Sequence, residues 1–364
     1  MPHRRPLHRV LDWVQAHPLL CGLGLAALVT APTLGQPFLF DDHFHLSVCE
    51  AVAVGDDGPR AGYLEQVRDT FGLVSLFEFF DGSEETYRAA METGAAPWWT
   101  VEGLRLSFWR PLSSQLGLLD YRLFGEHALP YHLHSVAWYL LLLVAWWWVL
   151  KSSLPRWTAV LALLLYAVDE AHHMPVNWIA NRHALVSMAL GLLALAAYQR
   201  WCRERWWPGL PLALLGFGAA LLGGESALGV LAYAGAYAVF HPEGGPWGRR
   251  LGRAAPVLAV AAAWAVVYRL GGFGAWGSGS YLEPTSGEYW AAAGPRMLVL
   301  IGQQISSPVF RLYSALLRTS AGRYFPISLP RVGSKSNQMM SLLAGTYSAA
   351  ISYRQAHGYW GGPA

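Results

Sequence analysis

The sequence predicts an all-α polytopic membrane protein with about eight transmembrane helices and a large external first loop carrying amphipathic helices. Three observations predict it. Of 364 residues, 54% are apolar and 13% are aromatic, and 26 Lys and Arg with 23 Asp and Glu make only 13% charged. An ordinary soluble domain carries about 25%. Apolar runs of near-spanning length recur along the chain, and the cations between them gather in alternate connections.

The elements follow in order. Residues 1–16 read as a cytoplasmic N-terminus with the basic leader Arg4, Arg5 and Arg9, and residues 17–35 as the first transmembrane helix. This helix reads as a retained anchor rather than a cleaved signal, because no A-x-A site follows it and Pro32 and Pro37 stand where cleavage would fall. Residues 36–130 are too polar to be embedded. Within them, 63–80 and 84–91 look amphipathic, with Leu73, Leu76, Phe77 and Phe80 near helical spacing, either along the membrane surface or packed in a core. Further apolar runs at 131–150, 157–168, 184–201, 207–222, 227–240, 254–270 and 290–310 form a helical membrane bundle over 131–310. The tail 311–364 is an Ala/Ser/Gly-rich mixture in which 338–353 is an optional ninth span.

Lys and Arg resist translocation, so they mark the cytoplasmic connections. One set holds Lys151 and Arg156, then Arg200, Arg203 and Arg205, then Arg249, Arg250 and Arg253, then Arg311 and Arg318. The intervening turns 169–182, 223–226 and 271–289 hold one cation in all, Arg182. These turns are expected on the external or periplasmic face of a cell (inner) membrane. Other classes are disfavoured. Cys21, Cys49 and Cys202 are too scattered for a disulfide framework or a Cys metal site, and a net charge of +3 spread over short loops argues for membrane lipid rather than nucleic acid as partner.

The residues able to do chemistry cluster on the external side. Asp41 and Asp42 stand in Phe38-Leu39-Phe40-Asp41-Asp42-His43-Phe44-His45, just beyond the first span. A carboxyl near lipid has its pKa raised by desolvation and can take a proton from an attacking hydroxyl. A helix cap is the plainer explanation of the same pair. Arg110 offers a permanent charge for a phosphate, or snorkels to headgroups. Arg182 stands at an external helix end, where few cations are expected. Glu225 interrupts a long apolar stretch: either it lies at depth, at a cost of up to about 3 kcal/mol, and orients Arg182 or Arg110, or the Gly223-Gly224 turn leaves it wet.

Histidines recur on this side: His43, His45, His127, His132, His134, His172, His173 and His183. His132 with His134, or His172 with His173, joined by Asp41, Asp42, Asp169 and Glu170, offer ligands for a divalent cation, but no recognised metal spacing occurs and no metal ligand is assigned. His132, His134 and the Trp98-Trp99 pair are candidates to shape a ligand pocket through hydrogen bonds and ring stacking, the tryptophans alternatively serving as interfacial belt residues.

Four motifs in order carry a family resemblance: R-P-L at Arg110 with L-x-x-x-D-Y-x-L-F-G after it, Tyr131-His132-Leu133-His134 entering the second span, Trp178-Ile179-Ala180-Asn181-Arg182, and Gly224-Glu225-Ser226-Ala227-Leu228. Together they resemble the GT-C superfamily of membrane glycosyltransferases, in particular its protein O-mannosyltransferase-like and TPR-bearing transmembrane mannosyltransferase branch. The likeness covers roughly 38–270. It implies a GT-C-like helical bundle, an inverting transfer from a polyprenyl-phosphate-linked sugar, and an external active site. It also implies Asp41 as catalytic base with Asp42 beside it, and a donor-phosphate role for Arg110 and Arg182. The sequence departs from that branch at Asp169–Met174, in having Gly224 where a Lys is usual, and in lacking a TPR array.

The expected function is therefore transfer of a sugar from a lipid-linked donor to a hydroxyl of a protein or glycan acceptor. The donor is a substrate, no cofactor is required, and a divalent cation is an option. Two alternatives stand beside it: a lipid-linked saccharide transporter or flippase, and a noncatalytic scaffold that keeps the GT-C fold. The orientation has a direct check. In a chain freed of its own cysteines, Glu170→Cys is expected to react with a membrane-impermeant maleimide in intact cells and Ser153→Cys only after permeabilisation; the opposite pattern reverses the topology.

Overall fold

The computed structural model describes residues 6–54, 71–92, 96–241, 244–277, 287, 289–291 and 293–295. It divides into two compact units, Met1–Phe77 with Trp109–Gly272, and Glu78–Phe108 with Phe273–Ala364. The first unit is helical and the described part of the second is built on a small sheet.

In the first unit α1 (Pro6–Ala16) and α2 (Pro18–Thr30) lead into a 3-10 turn at Ala31–Gly35. Pro18 starts α2 in the first turn, where its missing N–H costs no intrahelical hydrogen bond. After α3 (Asp42–Val54) come α5 (Pro111–Phe124), α6 (Ala128–Ser153), α7 (Arg156–Ala167) and α8 (His173–Asn177). The bundle closes with α9 (His183–Glu204), α10 (Gly209–Gly223), α11 (Ala227–Phe240) and α12 (Trp247–Leu270). The label α4 belongs to Glu84–Glu92 in the second unit.

Among the described residues four segments are long and apolar enough to cross a membrane: Pro18–Gly35, α6, Ile179–Glu204 and α12. Three of the eight expected spans are shorter apolar helices, α7, α10 and α11, of 12, 15 and 14 residues, below the about 20 that a span needs. The reasons are local. Pro155 fixes the start of α7 and the Asp169 side chain caps the turn that follows it, while Gly223-Gly224 separates α10 from α11. The eighth expected span at 290–310 lies almost wholly outside the described residues, as do the ninth at 338–353 and the tail 311–364.

The core runs through α6, α9, α10 and α11, where Leu142, Leu143, Leu185, Leu195, Phe217 and Leu221 are buried. The Ile179–Glu204 segment has 61% of its most apolar window buried against 11% for α12, so it is the inner strut and α12 the outer one. Small residues let α9 and α10 approach closely: a Cβ on Gly216 would stand 2.8 Å from Ala194 Cβ. The break between α10 and α11 leaves backbone groups that cannot stay unpaired in an apolar bundle. Two serines satisfy them. Ser187 Oγ donates to the Gly224 carbonyl at 2.7 Å and accepts the Ala227 N–H at 2.9 Å, and Ser113 Oγ donates to the Gly223 carbonyl at 2.7 Å.

One expectation is corrected. The described part of 63–80 holds no helix: 71–77 is irregular, with Leu76 and Phe77 buried, and the aromatic run that follows is a strand. In the second unit β1 (Glu78–Asp81), β2 (Arg105–Ser107) and β3 (Gly274–Trp276) form an antiparallel sheet in the order β1-β2-β3. Consecutive phenylalanines in a run ended by Gly82, at φ +90°, suit a pleated strand and a turn better than a helix. Glu84–Glu92 is helical as its pattern suggests, and Ser83 Oγ accepts the Thr86 N–H at its start.

The packing of α9 on α10 generates a paired prediction. Gly216→Ala is expected to destabilise the detergent-solubilised chain by about 1–3 kcal/mol, because Ala194 Cβ cannot rotate away. Gly218→Ala, with nothing within 4 Å of the new Cβ, is expected to be neutral or to stabilise by up to about 1 kcal/mol through helix propensity. Thermal unfolding followed by circular dichroism separates the two.

Candidate functional site

The site grows from a turn. Phe40 has φ +42°, a left-handed conformation that an aromatic side chain rarely adopts. The next residues hold it there. Asp42 donates its N–H to the Leu39 carbonyl at 2.8 Å, and Asp42 Oδ2 accepts the Leu39 N–H at 2.8 Å. The Phe40 ring meets Trp178 edge-on at 5.7 Å. Asp42 Oδ1 accepts the N–H of Ala180, 138 residues away, at 2.6 Å. The acidic motif and the Trp178–Arg182 motif are therefore one structural feature.

Asp42 is both a start for α3 and a wall of a cavity. It is 2% exposed and, with Phe38, His45, Phe77, Arg182 and His183, lines a cavity of about 30 Å³, room for little more than one water. Burial pushes its carboxyl up to about 6, against the opposing pull of the Leu39, Ala180 and Ile179 amides, with a small further push from Asp41. Asp41 is half-buried, and burial raises its carboxyl as well. It does not line the cavity, and among the described residues its carboxylate makes no hydrogen bond or ion pair. The two adjacent acids thus differ: Asp42 is held on backbone amides and Asp41 is not.

Behind Asp42 stands an aromatic and histidine cluster. The Phe77 ring meets His45 at 4.9 Å and His183 at 5.4 Å, both edge-on, and carries the Arg110 guanidinium 4.9 Å from its centroid. Burial, with the Arg110 and Arg182 charges adding to it, drives His45 down to about 3, so its ring is neutral.

Each candidate arginine is paired with an acid. Arg110 stands at the residue before α5 and donates from Nε to Glu225 Oε2 at 2.8 Å; Tyr268 on α12 donates to Glu225 Oε1 at 3.1 Å. Glu225 is therefore the partner of Arg110, placed in the turn between α10 and α11 with its side chain 25% exposed. Arg182, 5% exposed, donates to Asp120 Oδ2 at 2.5 Å and to the Tyr131 carbonyl at 3.3 Å. Asp120 Oδ1 accepts from His134 Nδ1 at 2.8 Å. His132 is fully buried, and its Nε2 donates to the Gln36 carbonyl at 3.0 Å, pinning the end of the first span to α6.

Of the residues singled out in the sequence, Asp42 and Arg182 share the cavity, Arg110 and Glu225 join as a pair, and His134 joins through Asp120. His132 serves the backbone. Trp98 and Trp99 lie in the second unit, 83% and 51% exposed and edge-on at 5.4 Å, whereas the cavity is lined by residues of the first. Among the described residues no three His, Cys, Asp or Glu side chains are grouped to hold a metal ion. Sequence reasoning missed Phe77, Asp120 and Tyr268. Asp120 carried a signal, being the acid of the quoted D-Y-x-L-F-G motif; Tyr268 and Phe77 carried none.

A 137-residue stretch, 37% of the chain, is 37% identical to the protein O-mannosyl-transferase Tmtc1 of Drosophila melanogaster. The chain spans about 16% of the length of that relative. No family model matches, and no solved structure matches.

The environment of Asp42 makes a prediction with a definite sign. A carboxyl raised in the fold favours its protonated form, so the stability it contributes is complete below the unfolded value of 3.8 and is lost as pH rises through about 6. Infrared difference spectra of the parent chain against Asp42→Asn are expected to show a protonated carboxyl band that disappears with a midpoint near 6. A midpoint near 4 contradicts the burial described here.

Proposed function

We propose that the chain is a membrane glycosyltransferase of the GT-C type, moving a sugar from a polyprenyl-phosphate-linked donor to a hydroxyl of a protein or glycan acceptor at the external face of the cell membrane. The name of the partial relative, a protein O-mannosyl-transferase, favours mannose as the sugar and a protein as the acceptor. The observation that carries this reading is the meeting of the acidic motif at residues 38–45 with three of the motifs that carry the resemblance, those at residues 110–125, 178–182 and 224–228. Asp42 joins Ala180, Arg182 joins the Asp120 of the D-Y-x-L-F-G motif, and Arg110 joins Glu225.

In this reading the acceptor hydroxyl attacks the anomeric carbon from the side opposite the phosphate. The new carbon–oxygen bond forms as the bond to the phosphate oxygen breaks, so the configuration inverts and polyprenyl phosphate leaves. Asp41 takes the hydroxyl proton; burial, which raises its carboxyl, makes it a stronger base than an exposed aspartate. Asp42 keeps the turn in register. Arg110 and Arg182 share their charge with the departing phosphate, for which guanidinium groups oriented in advance are better suited than mobile ones. Their standing partners Glu225 and Asp120 keep the resting site from holding two bare cations.

Membranes containing the full chain are expected to release labelled sugar from polyprenyl-phosphate mannose, and Asp41→Asn is expected to lower that turnover by about 10²–10⁴-fold without a change in thermal stability. Asp42→Asn is expected to lose stability together with turnover. Full turnover in Asp41→Asn removes Asp41 as the base.

A further inference from the structure

Asp120 lies on α5 with both carboxylate oxygens engaged, on two different helical neighbours. An indole N–H can only donate, so the 2.9 Å contact of Trp138 Nε1 with His134 Nε2 makes that ring nitrogen an acceptor. The ring proton is then on Nδ1, and His134 donates it to Asp120 Oδ1 at 2.8 Å. The other oxygen receives Arg182 at 2.5 Å. The Asp120 and Arg182 side chains are 3% and 6% exposed, so each charge is largely cut off from bulk water and relies on the other. Asp120 and the Tyr131 carbonyl hold two of the five guanidinium N–H groups of Arg182, and the same side chain lines the cavity that Asp42 walls.

A guanidinium grips a phosphate through two parallel N–H bonds only when its plane is correctly turned. A carboxylate that is itself fixed can set that plane. We propose that Asp120 is a positioning residue: locked by the Trp138–His134 pair, it holds the Arg182 guanidinium in the orientation that meets the phosphate of the lipid-linked donor. This rests on the glycosyltransferase reading of the site. It predicts that Asp120 acts on donor binding only through Arg182, whereas a residue needed merely for folding would weaken binding whether or not Arg182 is present.

The experiment is a double-mutant cycle on the full chain in detergent micelles, reading the Kd for polyprenyl-phosphate mannose. Asp120→Asn is expected to raise Kd about 10- to 100-fold, as loss of an outer-shell partner does elsewhere, with Asp120→Glu recovering part of the loss. In an Arg182→Gln background, adding Asp120→Asn is expected to change Kd no further. An unchanged Kd in Asp120→Asn, or the same fold-loss with Arg182 absent, overturns the proposal. Should Asp120→Asn fail to fold, Trp138→Phe carries the test, removing the indole N–H that orients His134 together with part of the ring's bulk; a rise of about 3-fold in Kd at unchanged thermal stability supports the relay and an unchanged Kd overturns it. If the parent chain neither binds nor consumes the donor, the glycosyltransferase reading itself falls, a result distinct from a parent that binds and an Asp120→Asn variant that binds equally well.

Discussion

Two guanidinium groups and two carboxylates lie at the ends of apolar helices, and none of the four can remain there alone. Removing a charge from water costs several kcal/mol even after the surroundings relax, and a partner within hydrogen-bond reach offsets that cost only when its geometry is good. Arg182 with Asp120 and Arg110 with Glu225 meet the condition. Each pair links segments distant in sequence, so satisfying the charges also fixes how the helices meet: α5 is tied to the start of α9 by one pair and to the α10–α11 break by the other.

The backbone obeys the same rule. Where apolar helices break or turn, amide and carbonyl groups are left over, and in an apolar bundle they must be answered by side chains. Ser187 and Ser113 answer them at the Gly223-Gly224 break, and Asp42 answers them at the Phe40 turn and at Ala180. The irregular backbone at Phe40 and at Gly223-Gly224 thus lies where the chemical groups gather. The glycines at the α9–α10 contact act from the other side, letting the inner helices close enough for these short side chains to reach.

The helices were legible because their signal is local. Apolar runs and the prolines and glycines that end them lie within a single stretch of chain, and the described segments follow the expected ones at 17–35, 131–150, 184–201, 227–240 and 254–270. Asp41, Asp42, Arg110, Arg182 and Glu225 stood out because charges are scarce in this sequence. The strand at Glu78–Asp81 was missed because its pairing partners, residues 105–107, lie beyond any local window, and spacing alone read Leu76 and Phe77 as one face of a helix. Phe77, Asp120 and Tyr268 belong to the site only through contacts that span 62 or 43 residues or that a ring makes edge-on, and no periodicity encodes those.

By itself the sequence determined the solvent and the inventory: an apolar chain whose few charges must gather, with the acids and cations able to move a proton and hold a phosphate. The tertiary structure decided who pairs with whom. Asp42 is spent on backbone amides while its neighbour Asp41 is not, Glu225 belongs to Arg110, and Asp120 belongs to Arg182. Composition is a property of each residue where it stands, but the energy of a charge depends on what reaches it across the bundle, and only the folded chain fixes those distances.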